Sequence, residues 1–530
     1  MTHLNFNHIS MDTDNITPPD NTIKSVVLSS HIEDYSNPQT NDVDISELSP
    51  EQTFAYHKFN QGANLFITGP GGTGKTRLIQ YLLKSALATH KSIQICAMTG
   101  CAAILLNCNA RTLHSWSGIK LAKGPSKLVV DSVLRNKKVV AQWRRARCII
   151  LDEVSMLSKK IFDIIEEIAR KTKLINKPFG GMQVVFTGDF YQLPPVGDNN
   201  DPDTSKFCFE SSNWSRVFPS QNQIALTTIF RQTDLDYINI LQQVRIGQID
   251  HEGILTLQKC LDRTYDAEQH NNCVPTKLFP LRSKTDYVNT MMFGKIKEKV
   301  FVLNAVRKKD CYTHIETNKP LSLAARQRCA RLSAAEIEYE LDQMMNNTPC
   351  INILRLKVGA AVMCTINLDM NNSICNGSQG TVTDIIETNG SIAPVVLFAN
   401  GVTKTIVQHY WQSEDYPSIA IGQYPLCLAW ALTIHKIQGA TLDMAEIDIG
   451  QSIFEYGQTY VALSRVQSLH GLYLSEFQPQ KIRANPIVQQ FYSNFPKNEM
   501  NMNEFIETHH DNELNEEIYE DPTIKKISLI

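Results

Sequence analysis

A glycine-rich segment at residues 69–76 has the spacing of a loop that binds phosphate groups, because it fits the pattern G-x-x-x-x-G-K-[ST]. It consists of Gly69, Pro70, Gly71, Gly72, Thr73, Gly74, Lys75 and Thr76. The backbone N–H groups of such a loop turn inward around a nucleoside triphosphate. We expect the whole segment to hold ATP, with Lys75 at the β- and γ-phosphates and the Thr76 hydroxyl on Mg²⁺.

An acidic pair and a glutamine could complete a site for phosphate hydrolysis. Asp152 and Glu153 directly follow the apolar run Cys148–Leu151, which is where a carboxylate for Mg²⁺ and a neighbouring general base belong. We assign Asp152 to the metal and Glu153 to the base. Gln192 follows another apolar run and could sense the γ-phosphate and orient the attacking water. The nearby Asp189 is expected to belong to the same polar network and not to act as a second base.

Two arginines far from the loop in sequence are candidates for stabilising the transition state. Charge that builds up on the γ-phosphate calls for guanidinium groups, which can come from across a domain interface. We assign this role to Arg231, in the sequence Phe-Arg-Gln, and to Arg465, in the sequence Ala-Leu-Ser-Arg. Without the other motifs, both residues would more often be surface or structural ones.

Apolar runs that alternate with amphipathic segments must position these side chains. Leu65–Thr68 predicts a buried strand before the loop, and the helical spacing of Leu78, Ile79 and Leu82 predicts a helix after it. Continuous apolar strands between helices indicate a parallel sheet that is covered on both faces. From about residue 354 to residue 424, short Val/Ile/Leu segments separated by Asn-Gly and Gly turns indicate a small β-barrel.

Length, composition and charge limit the classes of protein. A chain of 530 residues is expected to form two to four domains. It contains no run of eighteen apolar residues, so we expect no membrane-spanning segment. Its thirteen cysteines form no C-x-x-C pair, which favours reduced, buried thiols in an intracellular protein over a zinc site.

The net charge is distributed unevenly along the chain. Residues 1–50 contain eight acidic and one basic side chain, and residues 499–530 contain nine and two. The segment between them therefore has a formal charge of about +11, although the whole chain has −3. A basic core suits a polyanionic partner.

The ordered set of motifs resembles superfamily-one helicases, and within them the Pif-type (petite integration frequency) DNA helicases. The resemblance runs from about residue 48 to residue 480. It is carried by residues 99–103 with 112–119 (the motif Ia region), 162–170 with 177–183 (the family signature), 356–363 with 376–380 (an SH3-like module), 428–439 (motif V) and 457–465 (motif VI).

This resemblance implies an α/β fold with two RecA-like P-loop NTPase domains, ATP between them, and a small β-rich SH3-like insertion in the second domain. It also implies an ATP-hydrolysing motor that moves 5′ to 3′ on single-stranded DNA and unwinds duplexes, in replication, repair, recombination and telomere maintenance. The resemblance also implies that Gln52 corresponds to the glutamine with which the family recognises adenine. Thr99, His114, His435 and Lys436 fall in motifs that line the DNA channel.

Trp116 lies close to His114 in a loop-like segment. A strand-tracking protein needs side chains on which unpaired bases can stack. Trp116 is therefore a candidate stacking platform or a wedge that separates the strands, and burial in the core is the alternative.

The resemblance also predicts the division of the chain. We expect a disordered acidic segment at 1–47, a first RecA-like domain at 48–225 with a small wedge region at about 115–140, a second RecA-like domain at 226–350 and 426–480, the SH3-like module at 351–425, and an acidic tail at 481–530. The expected partners are ATP and single-stranded or forked DNA, with no membrane. We expect a monomer that acts in the nucleus or at another site of DNA replication.

Three other functions compete with this one. A related motor could act on RNA or as a RecD-like subunit, and the signature at residues 177–183 argues against it. A nucleic-acid-binding scaffold with a vestigial ATP site would not need Lys75, Asp152 and Glu153 together. A small-molecule kinase would leave motifs V and VI unexplained.

Overall fold

The computed structural model describes residues 44–496, except for residues 90, 107, 109, 121, 199, 262, 266–273, 316–317, 370–371, 373, 389–390 and 414–415. The predicted disordered segment 1–47 therefore lies almost wholly outside the described residues, as does the predicted tail after residue 496. No helix in the described ranges combines the length and the apolar character needed to cross a membrane.

A six-stranded parallel sheet carries the glycine-rich loop. Its strands are β1 (Leu65–Thr68), β2 (Ile93–Ala97), β3 (Arg111–Thr112), β4 (Cys148–Asp152), β5 (Gln183–Gly188) and β6 (Gln223–Ala225). They run parallel in the order β3-β2-β4-β5-β1-β6. Because β1, β4 and β5 lie close together in this order, the loop after β1 and the acidic pair at the end of β4 meet at one edge of the sheet.

Helices cover both faces of this sheet, as predicted. They are α1 (Pro50–Asn60), α2 (Lys75–Ala88), α3 (Gly100–Leu105), α4 (Leu113–Ser117), α5 (Ser126–Arg135), α6 (Lys137–Arg145), α7 (Lys159–Lys173) and α8 (Trp214–Val217). Successive residues of a strand enter different cores: Leu65 and Ile67 pack with α1 and α2, whereas Phe66 packs with α7. Burial on both faces explains why the strands are continuously apolar.

The described chain after β6 forms a second parallel sheet and a group of antiparallel sheets. Its strands are β7 (Thr276–Phe279), β8 (Phe301–Asn304), β9 (Val306–Lys308), β10 (Ile353–Leu356), β11 (Ala361–Cys364), β12 (Gln379–Thr388), β13 (Ser391–Phe398), β14 (Thr403–Thr405), β15 (His409–Gln412), β16 (Ala420–Gln423), β17 (Leu426–Leu428), β18 (Ala431–Thr433), β19 (Ala445–Ile449) and β20 (Leu472–Phe477). Its helices are α9 (Leu235–Arg245), α10 (His251–Leu261), α11 (Arg282–Lys295), α12 (Leu323–Cys329), α13 (Ala334–Asn347), α14 (Gln458–Leu463) and α15 (Pro486–Ser493).

The second parallel sheet has the strand order β18-β7-β19-β20. Helices α9, α10 and α14 supply its core with Tyr237, Leu257 and Val461, each of which is completely buried. The chain thus contains two separate parallel sheets with helices, in agreement with the predicted α/β fold.

Antiparallel strands lie between β7 and β18 in the sequence. They form a five-stranded sheet β14-β13-β12-β11-β17 and the smaller sheets β15-β16-β9 and β10-β8. Within residues 226–350, which are predicted to belong to the second domain, β8 and α13 pack in the core of the antiparallel group and β9 pairs with β16. The division into domains stays a prediction. Whether this group is an SH3-like module stays a prediction.

The segment after residue 481 also differs from the prediction of a tail. Helix α15 packs against the first sheet, with Val488 completely buried. The ring of Phe491 stacks on Phe209 with 4.3 Å between centroids, and the ring of Tyr492 stacks on Tyr191 at 4.8 Å. The end of the described chain therefore returns to the core that contains the first sheet.

Candidate active site

The glycine-rich loop runs from the end of β1 to the first turn of α2 with tight packing on both sides. Gly72 and Gly74 have φ angles of 94° and 74°, a region that glycine enters without strain. A Cβ atom on Gly72 would lie 2.8 Å from the Cβ of Arg231, and one on Gly74 would lie 2.6 Å from Nε2 of Gln52. Larger residues would thus collide with neighbours on both sides of the loop.

Lys75 is held against the carbonyl groups of its own loop. Its Nζ donates hydrogen bonds to the carbonyl oxygen of Gly69 at 2.7 Å and to that of Pro70 at 2.8 Å. Burial lowers the pKa of Lys75, and the negative charges of Asp189 and Glu153 oppose this shift. The ammonium group is therefore placed where an anion in the loop would stabilise its charge.

Gln52 lies behind the loop. Its Nε2 donates to the carbonyl of Thr73 at 3.0 Å, and its Oε1 accepts the N–H of Ser49 at 3.1 Å. Only 1% of Gln52 is exposed. The structure thus links Gln52 to the loop, and its contact with adenine stays a prediction.

The acidic pair at the end of β4 lies next to the loop, with Asp152 buried and Glu153 half-buried. Asp152 accepts hydrogen bonds from the Thr187 hydroxyl and from the backbone N–H of Glu153. Glu153 has a left-handed backbone with φ of 57°, an unusual conformation for a residue with a side chain. Burial raises the pKa of both carboxyl groups, and for Glu153 the neighbouring Asp152 adds to the effect.

Arg231 and Arg465 reach the loop from the described chain after β6, which we call the second part of the chain. The Nη1 of Arg231 donates to the carbonyl of Ser464 at 3.3 Å. The Nε of Arg465 donates to the carbonyl of Val461 at 2.8 Å, and its Nη2 lies 3.6 Å from the place of a Cβ on Gly71. Burial and the nearby Arg231 lower the pKa of Arg465 to about 9, so this guanidinium remains protonated at neutral pH.

A cleft of about 330 Å³ brings these residues together. It is lined by Gly71, Gly72, Thr73, Gly74, Lys75, Thr76, Arg77, Asp152, Glu153, Gln192, Phe230, Arg231, Gly439 and Arg465. The Oε1 atom of Gln192 is buried and has no hydrogen-bond partner among the described residues. Such an orphaned acceptor is uncommon in folded proteins, and here it belongs to a residue that lines the cleft.

Two aromatic residues at this cleft were not predicted from the sequence. The hydroxyl of Tyr460 in α14 accepts the backbone N–H of Gly71 at 2.9 Å. The ring of Phe230, which lines the cleft, is 49% exposed. Their only sequence signal is their position, since Tyr460 lies inside the motif VI block and Phe230 directly precedes Arg231.

Asp189 belongs to a buried ion pair, and the expectation that it is not a second base stays a prediction. It is completely buried and accepts two hydrogen bonds from Arg245, at 2.8 and 2.9 Å. The Arg245 guanidinium also lies over the rings of Tyr191 and Tyr492. This cluster joins α9 and α15 to the segment that carries Gln192.

The residues that are expected to contact DNA lie at two places. Thr99 follows β2, and its hydroxyl caps α3 by accepting the N–H of Ala102 at 3.2 Å. His114 follows β3 and is half-buried in α4. His435 and Lys436 are exposed on the turn 434–439 after β18. Their contact with DNA stays a prediction.

The assignment of Trp116 as a stacking platform is wrong. Only 1% of Trp116 is exposed, and its ring centroid lies 4.5 Å from that of Trp143. The Nε1 of Trp143 donates to the carbonyl of Ser117 at 3.1 Å. The two indoles pack against each other between α4 and α6, and the burial of large aromatic surfaces stabilises a core strongly.

An exposed aromatic ring lies next to His435 instead. Phe454 is 56% exposed, and its ring is nearly parallel to that of His435, with 6.1 Å between centroids and 16° between planes. Phe454 lies in the loop after β19, between motifs V and VI, and no pattern in the sequence pointed to it.

A glycine loop and a carboxylate pair lie at the end of one parallel sheet and are faced by two arginines from the chain after β6. This arrangement defines the P-loop NTPase fold, with a cleft between its two parallel sheets. The family model of PIF1-like helicases matches residues 47–253, and that of the 2B domain of the DNA helicase Pif1 matches residues 341–385. The chain belongs to the Pif1-like helicase family.

Relatives and solved structures agree with this placement. The chain is 34% identical over 450 residues to the ATP-dependent DNA helicase PIF1 of Homo sapiens, in a match that covers 84% of this chain and 64% of that protein. The chain thus spans less than two thirds of the length of that relative. A crystal structure of the Pif1 helicase from Candida albicans is 33% identical with a TM-score of 0.65, and the match covers 85% of this chain and 99% of that one.

A third match contains ligands. A crystal structure of a Pif1 helicase from Bacteroides in complex with ADP-AlF3 and single-stranded DNA is 26% identical, with a TM-score of 0.56. The match covers 86% of this chain and 98% of that one.

Proposed function

We propose that this protein is an ATP-dependent DNA helicase that moves 5′ to 3′ along single-stranded DNA and unwinds duplexes. The observation that supports it most directly is the shared cleft, to which the first sheet contributes the loop and carboxylates and the second part contributes Arg231 and Arg465. A cleft of this kind closes on ATP and opens after hydrolysis, which converts the reaction into relative movement. We propose a monomer that acts in genome maintenance, in the nucleus or at another site of DNA replication.

Glu153 is the proposed general base of hydrolysis. A half-buried carboxylate with a raised pKa is suited to accept a proton at neutral pH. It accepts the proton of the water that attacks the γ-phosphate, while Gln192 orients that water. Lys75, Arg231 and Arg465 stabilise the charge of the transferred phosphoryl group.

Thr76 and Asp152 fit a Mg²⁺ ion. Both line the cleft, and hydroxyl and carboxylate oxygens are the ligands that this metal prefers. The two hydrogen bonds that Asp152 accepts both end on Oδ1, which leaves Oδ2 for a ligand. When bound, Mg²⁺ neutralises charge on the β- and γ-phosphate oxygens.

Two residues are proposed to hold the adenine base. Phe230 offers an exposed ring at the mouth of the cleft, on which a base can stack. Gln52 uses one N–H of its amide for the Thr73 carbonyl, and the second N–H of the same group is available for the base.

The DNA track is proposed to pass Thr99, His114, His435 and Lys436. Phe454 takes the role that Trp116 cannot fill, because its exposed ring lies parallel to His435 and every base has a face that stacks on such a surface. The similar Pif1 helicase from Bacteroides, whose crystal structure contains single-stranded DNA, supports a track for this polymer.

ATP hydrolysis with and without single-stranded DNA tests the proposal. We expect the wild type to be stimulated by DNA and Lys75→Ala to be inactive in both conditions. Lys84→Ala, which changes an exposed lysine of the same helix, serves as the matched control and should behave as the wild type. Stimulation by RNA and not by DNA would favour the RNA motor, and full activity of Lys75→Ala would refute the proposed site.

A further inference from the structure

A part-buried hydrogen bond connects the proposed general base to the motif V turn. The Nε2 of Gln438 donates to Oε2 of Glu153 at 3.0 Å, and Gln438 is 9% exposed. Among the described residues, no other group donates a hydrogen bond to this carboxylate. The side chain of Glu153 thus takes its orientation from a residue of the second part of the chain.

The backbone of Glu153 does not fix its carboxylate by itself. The left-handed φ of 57° and the hydrogen bond from its N–H to Asp152 place the Cα atom. The side chain beyond it retains three rotatable bonds, and each has several staggered positions. A base must lie within hydrogen-bond reach of the attacking water, and a misplacement of about 1 Å can cost about 100-fold in rate.

Gln438 lies on the same short turn as two residues of the proposed DNA track. The completely buried Ile434 and Ile437 anchor the turn 434–439 in the core, whereas His435 and Lys436 are exposed. Backbone hydrogen bonds from Lys436 to Thr433 at 3.0 Å and from Ala440 to Ile437 at 3.1 Å close the turn. His435 and Lys436 therefore lie within three residues of Gln438 on one hydrogen-bonded turn.

The turn also approaches the first part of the chain closely at its end. A Cβ atom on Gly439 would lie 2.9 Å from Cδ1 of Leu105 and 3.9 Å from Oε1 of Glu153. With so little space between them, the turn cannot shift without moving its contacts on the other side.

We propose that Gln438 is the positioning residue through which DNA bound at His435 and Lys436 orients Glu153 and so sets the rate of ATP hydrolysis. This inference rests on the proposed function. We compare two arrangements of the turn, with and without the Gln438–Glu153 hydrogen bond. DNA that binds more tightly to the arrangement with this hydrogen bond increases its population. Binding affinities are linked reciprocally, so an ATP analogue that favours this arrangement strengthens DNA binding by the same factor by which DNA strengthens binding of the analogue.

The experiment measures the DNA activation ratio, which is kcat with saturating oligothymidine divided by kcat without DNA. Gln438→Met keeps the length of the side chain and removes the amide. We expect its activation ratio to fall at least about tenfold, with the KM for ATP within about threefold of the wild type. Gln438→Asn, which keeps an amide on a shorter stem, should restore part of the ratio.

A second readout is the linkage between the two ligands. The Kd of fluorescein-labelled oligothymidine is measured with and without a non-hydrolysable ATP analogue. The wild type should bind more tightly with the analogue, and Gln438→Met should lose this difference. Gln438→Glu, which has nearly the same shape but cannot donate to Glu153 when ionised, provides the same comparison if Gln438→Met does not fold.

The outcomes separate the two proposals. A wild type without DNA stimulation would refute the proposed function, and this inference with it. A stimulated wild type and a Gln438→Met variant with an unchanged activation ratio, or one whose basal and stimulated rates fall equally, would refute the role of Gln438 alone. A variant whose only defect is a raised Kd for DNA would show that Gln438 is a DNA contact and not a positioning residue.

Discussion

Replacing Arg245 by methionine should strongly destabilise the protein. Arg245 donates two hydrogen bonds to the completely buried Asp189, and its guanidinium lies 4.6 and 5.4 Å from the ring centroids of Tyr191 and Tyr492. Removing it leaves a buried carboxylate without its ion-pair partner, which costs about 3–5 kcal/mol. Because about 1.4 kcal/mol is a factor of ten, the unfolding equilibrium should shift by about 10²- to 10⁴-fold.

Urea unfolding followed by tryptophan fluorescence measures this change. The double variant Asp189→Asn with Arg245→Met removes both charges, and we expect it to recover at least half of the lost stability. The control is Arg282→Met, since the bridge from Arg282 to Asp286 is largely exposed and should cost less than about 1 kcal/mol. A loss below about 1 kcal/mol for Arg245→Met, or a double variant less stable than the single one, would contradict this reasoning.

Three further predictions concern single residues. Trp116→Ala should destabilise the protein by about 3–5 kcal/mol, because this ring is in the core, and the folded variant should keep the Kd of the wild type for single-stranded DNA. A raised Kd without loss of stability would instead support the stacking role. Phe454→Ala should weaken the binding of single-stranded DNA by about 1–3 kcal/mol, as measured by fluorescence anisotropy, whereas Phe454→Trp should not. Equal affinity of both variants would exclude base stacking on residue 454. Burial lowers the pKa of His409 to about 4, below its ordinary value of 6.5. The unfolded chain therefore binds a proton at this group more readily than the folded protein does. As the pH falls from 6.5 towards 4, the contribution of His409 to the free energy of unfolding is lost. Thermal unfolding of His409→Gln should therefore depend less on pH in this window than that of the wild type. An identical pH dependence would refute the lowered pKa of His409 in the folded protein.

Short-range patterns predicted much of the cleft. The loop, its strand and its helix are adjacent in sequence, so the spacing of Gly69 to Thr76 was sufficient to locate them. Asp152 and Glu153 follow a fully apolar strand, and the order of parallel strands then brings them to the loop. Arg231 and Arg465 could be found only through the motifs around them, because no local pattern shows that two distant arginines face one cleft.

Long-range packing explains what the sequence did not predict. Strand β8 pairs with β10, about fifty residues away, so residues 300–350 carry no local sign that they belong to the antiparallel group. Helix α15 is short and precedes an acidic segment, and its docking depends on Phe491 and Tyr492 meeting the rings of Phe209 and Tyr191, which lie between β5 and β6 in the sequence. The burial of Trp116 depends on Trp143, which lies in a different helix. Hydrophobic spacing could not distinguish this ring from an exposed one.

The central claim is that hydrolysis in the shared cleft moves this chain along single-stranded DNA with 5′-to-3′ polarity. Strand displacement on partial duplexes that carry either a 5′ or a 3′ single-stranded tail, in the presence of ATP and Mg²⁺, tests it most directly. We predict displacement from the 5′-tailed substrate alone, and none with Lys75→Ala. Displacement from the 3′-tailed substrate alone, or displacement that does not require ATP, would contradict the claim.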